Sequence, residues 1–131
     1  ESRDYNHVKL IDCSITSGLE TESTVVLQVE IEGKLHTSTG TGNGGFDAFI
    51  SSINKVLDAY NYSIPKLVNF EVRIPKGGET NALTEAIITW ETSGKHIKTR
   101  GVHANQVFAA IHATLRMINL QFHEHDDSMS S

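Results

Sequence analysis

The chain has 131 residues, a net charge of -5, and 38% apolar and 21% charged residues. That is the composition of one folded domain rather than a disordered chain. No apolar run reaches the roughly 18 residues that cross a bilayer, and an acidic balance without a Lys/Arg run argues against both a membrane and a nucleic-acid partner.

The single Cys13 excludes an internal disulfide and fits a reducing, cytoplasmic setting. A start at Glu1 rather than Met is expected of a piece of a longer protein.

Residues 1–6 are polar and read as a flexible N-terminal end. His7–Ser14 alternates, with Val8, Leu10 and Asp12 on one face and Lys9, Ile11 and Cys13 on the other. The alternation predicts a strand in which Cys13 is a buried small hydrophobe. Ser17–Glu22 is a turn around Gly18. Thr24–Glu32 is a second strand, with Val25, Leu27, Val29 and Ile31 sharing a face, and Gly33-Lys34 turns the chain into a Thr-rich strand from Leu35 to Thr39.

Next comes Gly40-Thr41-Gly42-Asn43-Gly44-Gly45-Phe46-Asp47. Glycines permit positive φ and close approach of another group. From Ala48 the apolar period changes to that of a helix, with Phe49, Ile50, Ile53, Val56, Leu57 and Tyr60 inward and Ser52, Asn54, Lys55 and Asp58 outward. Pro65 prevents its continuation.

The second half repeats the plan. Leu67–Ile74 is a strand with Val68, Phe70, Val72 and Ile74 on one face, followed by a loop at Pro75–Gly78. Leu83–Thr92 places Ala86, Ile88 and Trp90 together, Ser93-Gly94-Lys95 turns, and His96–Val102 returns. A helix over Ala104–Asn119, with Asn105 as N-cap, buries Val107, Phe108, Ile111, Leu115 and Ile118. Residues 123–131 read as a disordered tail.

Gly33-Lys34 matches Gly94-Lys95 at an offset of 61 (94 minus 33), and Gly40 meets Gly101 at the same offset. Past Gly40 the register is expected to slip. The expected fold is α+β, an internal duplication of a β-β-β-α unit. It forms one domain over 7–122 from repeats at about 7–62 and 63–122, with two antiparallel sheets and one helix on each. A sheet with one helix leaves surface uncovered, so a homodimer is expected.

The entrance to the first helix offers unpaired N–H groups to an anion, and Asp47 offers a carboxylate to a cation. A free amino acid carries both charges. The plainer alternative is a Gly-rich turn whose Asp47 caps its own helix. A nucleotide-binding stand-alone enzyme is a further alternative, although no Lys-Ser or Lys-Thr follows the last glycine. An RNA-binding α+β domain would need a basic face and exposed aromatics. The seven histidines lack a dense Cys or carboxylate set, so no metal site is expected. His123-Glu124-His125-Asp126-Asp127 is read as solubilising charge.

Gly40-x-Gly-x-Gly-x-Phe-Asp-Ala-Phe resembles the C-terminal regulatory domain of the isopropylmalate and citramalate synthase family. So do Pro65-x-Leu-Val-x-Phe-x-Val-x-Ile-Pro, Ala82-Leu-x-Glu, Thr99-Arg-Gly-Val and Asn105-Gln-Val-x-Ala-Ala-Ile-x-Ala-Thr. The resemblance implies a dimeric, non-catalytic regulatory domain with no cofactor of its own. It would be attached to a catalytic barrel, an acyltransferase using a divalent metal and acetyl-CoA. Its effector would be a branched-chain amino acid, leucine for isopropylmalate synthase or isoleucine for citramalate synthase.

By the same resemblance Phe46, Asp47, Leu67, Phe70, Ile74, Thr84, Ala104 and Gln106 stand at effector positions, beside the glycine loop of Gly40, Gly42, Gly44 and Gly45. Gly45, where other members have Pro, and the aromatic Phe46 before Asp47 resemble the citramalate branch.

Overall fold

A computed structural model describes residues 5–74 and 83–129. Its elements run β1 (Val8–Thr16), β2 (Ser23–Ile31), β3 (Lys34–Gly42), α1 (Gly45–Asp58), β4 (Lys66–Arg73), β5 (Thr84–Thr92), β6 (Lys95–His103) and α2 (Gln106–Met129). They form two antiparallel three-stranded meanders, β1-β2-β3 and β4-β5-β6, each followed by a helix. The fold is therefore α+β with a duplicated β-β-β-α unit. The chain divides at the duplication, into a first unit of Asn6–Ile64 and a second comprising Pro65 onward together with the N-terminal end through Tyr5.

In the first unit α1 packs on β3 and β2. Alternation on β2 sends Val25, Leu27, Val29 and Ile31 to one face, all fully buried, and α1 brings Phe49, Ile53, Val56 and Leu57 to the core. Burial at about 25 cal/mol per Å² makes this apolar set the main driving force. Ser52, expected outside, is buried. Its backbone N–H would lie 2.5 Å from a Cβ at Gly40, its carbonyl accepts from Ser38 Oγ at 2.8 Å, and its own Oγ donates to the Phe49 carbonyl at 2.8 Å. A serine is small enough for that close approach, and its hydroxyl is satisfied locally.

The second unit repeats this. α2 packs on β6 and β5. Ala86, Ile88 and Trp90 are buried, as are Ile111, Ala113, Met117 and Ile118 of α2. Trp90 Nε1 donates to Thr99 Oγ1 at 2.8 Å, and that hydroxyl donates to the Ala113 carbonyl at 2.8 Å. The chain satisfies the indole inside the core.

Both β2-β3 and β5-β6 turns have consecutive residues at positive φ, Glu32 (51°) with Gly33 (85°) and Ser93 (51°) with Gly94 (75°). This is the two-residue turn whose twist suits an antiparallel pair.

Three expectations are corrected. The register does not slip past Gly40: α1 begins at Gly45 and α2 at Gln106, still 61 apart (106 minus 45). The slip lies earlier, since Leu10 faces Val29 and Leu67 faces Trp90, an offset of 57 on the outer strands (67 minus 10).

Secondly, β1 and β4 each carry a bulge, at Ile11 between Leu10 and Asp12 and at Val68 between Leu67 and Asn69. One extra residue inverts the faces beyond it. Cys13, opposite Leu27, therefore shares the face of Val8 and Leu10, while Ile11 is exposed. Val68 likewise leaves the face of Phe70 and Val72. Burial, then the Asp12 charge, push the Cys13 thiol above its ordinary range.

Thirdly, α2 continues to Met129, through the segment expected to be a disordered tail. The Tyr5 ring stacks on His123 with centroids 3.7 Å apart and planes 9° from parallel. The expected loop at Pro75–Gly78 lies outside the described residues.

Candidate functional site

The glycine stretch is the end of β3 and the entrance to α1. None of its glycines is at positive φ. Their role is close approach instead. A Cβ at Gly40 would meet the Ala48 carbonyl and the Ser52 N–H at 2.5 Å, and one at Gly42 would meet the Ala48 N–H and Asp47 Cβ at 2.7 Å. Side chains there would push α1 off its sheet.

Gly44 is the N-cap, extended at φ -148° and ψ 173°, and a Cβ on it would meet nothing within 4 Å. Its carbonyl accepts from Ala48 N–H at 3.0 Å, but no side chain caps α1. The self-capping alternative for Asp47 is thus not realised: the carboxylate stands exposed in the first turn, at the positive helix end. Phe46 is half-buried, its ring 6.4 Å from that of Phe49.

In the second unit the bulge at Val68 brings Leu67 and Phe70, three apart in sequence, to one face. They pair with Trp90 and Ile88, and Val72 pairs with Ala86, so this is the face on which α2 lies. The helix covers β5 and β6, leaving Leu67 and Phe70 more than a third exposed. Ile74 follows the end of β4 and is 74% exposed. Thr84 opens β5 opposite His103, half-buried. Ala104 and Gln106 flank the α2 cap and are exposed.

That cap is Asn105, whose Oδ1 accepts from Val107 N–H at 2.8 Å and Phe108 N–H at 3.1 Å. Two of the first amides of α2 thereby meet a side-chain cap, which α1 lacks.

Sequence reasoning missed one group here. His103, at the end of β6, has its ring 5.3 Å from Phe108 and 5.9 Å from His112. Burial first, then His103 and Arg116, hold His112 below the usual histidine range. The two histidines are nine apart in sequence (112 minus 103) and read as scattered. Only the close docking of α2 on Gly101 unites them: a Cβ there would lie 2.0 Å from the Ala109 carbonyl.

Arg100 faces the other side and pairs with Glu85 at 3.4 Å. Among the described residues no three His, Cys, Asp or Glu side chains are grouped to hold a metal ion. No described helix is long and apolar enough to cross a membrane. The nucleotide-loop alternative lacks its context, since β3 is antiparallel to β2 rather than part of a parallel βαβ unit.

Comparison with known proteins finds relatives along most of the chain. The chain is 28% identical over 116 residues to 2-isopropylmalate synthase of Aquifex aeolicus, covering 88% of the chain and 21% of that protein. It is 27% identical over 122 residues to a probable 2-isopropylmalate synthase of Methanosarcina mazei, covering 92% and 23%. It is 29% identical over 112 residues to the 2-isopropylmalate synthase of Methanocaldococcus jannaschii, covering 86% and 21%. The chain thus spans about a fifth of the length of these relatives. The family model for the LeuA allosteric (dimerisation) domain matches residues 1–122, and the chain belongs to that family.

Proposed function

We propose that this chain is the regulatory module of a 2-isopropylmalate synthase, binding the branched-chain amino acid end product as a feedback inhibitor and joining two copies of the chain. The observation that carries the reading is the α1 entrance: a helix N-terminus with no side-chain cap, in a chain of this family. The positive end of that helix suits the effector carboxylate, and the exposed Asp47 suits the ammonium. Phe46 is the proposed further contact of the first unit; Leu67, Phe70, Ile74, Thr84, Ala104 and Gln106 are the effector positions proposed for the second unit, taken by itself. Leu67 and Phe70 present uncovered apolar surface for a branched side chain or a second copy.

The parent enzyme would condense acetyl-CoA with a 2-oxo acid in a separate metal-dependent barrel, in the cytoplasm, and the present chain would catalyse nothing. Inhibition would follow if the effector favoured one arrangement of the two copies. Leucine is the first effector expected, from the names of the relatives. Isoleucine, as in a citramalate synthase, is the second reading, favoured by Gly45 and Phe46 before Asp47. Discrimination by branching alone is worth only about 1–3 kcal/mol.

Calorimetric titration of leucine, isoleucine and valine into the chain and into the full-length enzyme tests the reading. Saturable heat with one of them supports it. Absence of binding by all three to both proteins rejects it.

A further inference from the structure

We propose that the entrance to α2 is a proton-sensitive latch, closed while the His103 ring is neutral and opened when that ring is protonated. The backbone N–H of Asn105 donates to His103 Nδ1 at 2.9 Å. A backbone N–H can only donate, so Nδ1 holds a lone pair and the ring proton sits on Nε2. The bond orients Asn105, whose Oδ1 in turn accepts from the N–H groups of Val107 and Phe108. One continuous chain of hydrogen bonds therefore runs from an imidazole to the first amides of the helix.

A proton on Nδ1 removes the acceptor and sets one N–H against another. It also places a cation at the positive end of α2.

The surrounding groups give that cation no carboxylate partner among the described residues. From α2 it faces Phe108 and His112, with Arg116 beyond His112. Across β5 its pair is Thr84; of the two acids of that strand, Glu85 lies opposite Val102 and pairs with Arg100, and Glu91 lies at the far end opposite His96. On β4 Glu71 and Arg73 pair with each other. At the matching positions of the first unit, 61 residues earlier, stand Gly42, Gly44 and Ser51, which carry no such latch. The inference needs no effector and does not rest on the function proposed above.

The test is an amide-resolved NMR titration of the 131-residue chain from about pH 8 to about pH 4, spanning the range in which histidine ordinarily titrates. The expected result is an upfield move of the Asn105 amide proton with the midpoint of the His103 ring. Exchange protection at Val107 and Phe108, corrected for intrinsic rate, should fall about tenfold in step. His103→Asn places a non-titrating carbonyl oxygen near the Nδ1 position, and should keep the Asn105 shift while flattening its pH response. The proposal is overturned if the His103 ring titrates without any response at Asn105, Val107 and Phe108. It is equally overturned if the ring stays neutral throughout, or if a folded His103→Asn keeps the full response. Should that variant not fold, the titration of the unaltered chain decides by itself.

Discussion

Ser38 in the first unit and Thr99 in the second stand 61 apart (99 minus 38), and each donates its hydroxyl to a helix carbonyl, that of Ser52 or Ala113, which are also 61 apart (113 minus 52). Gly40 and Gly101 repeat the pattern, each leaving room for the backbone of its helix. The bulges at Ile11 and Val68 repeat it again on the outer strands. Where helix and sheet meet through backbone atoms, the two halves are alike.

They differ where side chains are free to vary. Val29 corresponds to Trp90, Gly42 to His103 and Gly44 to Asn105. The second helix is capped by its own side chain and the first is not. The duplicated frame is thus alike in its docking contacts and differs at the helix entrances.

The sharpest way to break the comparison is at the paired glycines. Gly101→Ala should destabilise the second unit by about 3 kcal/mol or more, because the contacts it forces are with backbone that cannot rotate away. Gly40→Ala should cost somewhat less, its shortest contact being 2.5 Å against 2.0 Å at Gly101. Chemical denaturation followed by Trp90 fluorescence and by amide exchange in each unit checks both. Equal, negligible costs would mean that the helices do not sit where described.

Thr99→Val should cost about 2 kcal/mol, since it strands the buried Trp90 N–H and removes a second donor from the Ala113 carbonyl, whereas Ser38→Ala, at a partly exposed position, should cost about 1 kcal/mol. Removing the second cap by Asn105→Ala should cost about 1 kcal/mol and fray the start of α2, seen as lost protection at Val107 and Phe108.

A slope should accompany these differences. His112 has its folded pKa depressed, so the unfolded chain binds more protons as pH falls through the ordinary histidine range. Stability from the neutral ring is whole above that range and is lost below it. His112→Gln should flatten this part of the stability–pH profile, and an unchanged slope would assign it to another group.

The smallest effect should be Gly44→Asn. The extended backbone there accepts any residue, and a new cap on α1 should add a few tenths of a kcal/mol while weakening effector binding by competing for the same amides.

Strands, turns and helices were legible in order because period 2, paired turn residues and period 3.6 are local signals. The bulges were not. Ile11 and Val68 look like any other alternating residue, and only the partner strand shows that each is unpaired. That is why alternation alone puts Cys13 on the wrong face. The full length of α2 was hidden because its polar end has no apolar stripe, although a ring as distant in sequence as Tyr5 rests on it. At the candidate site the glycines were legible as significant but for a partly mistaken reason, since crowding by α1 rather than positive φ requires Gly40 and Gly42. The meeting of His103 with His112 is tertiary and has no local signature.

On the proposed function, the entrance of α1, which no side chain caps, holds the carboxylate of a branched-chain amino acid. The most direct measurement is a titration of leucine and isoleucine followed at the backbone amides of Gly45, Phe46 and Asp47. These amides should shift and saturate together with a Kd no higher than about 1 mM, an affinity of at least roughly 4 kcal/mol, and Gly44→Asn should weaken the response. Saturable binding that leaves all three amides unmoved, or an undiminished response in Gly44→Asn, would contradict it.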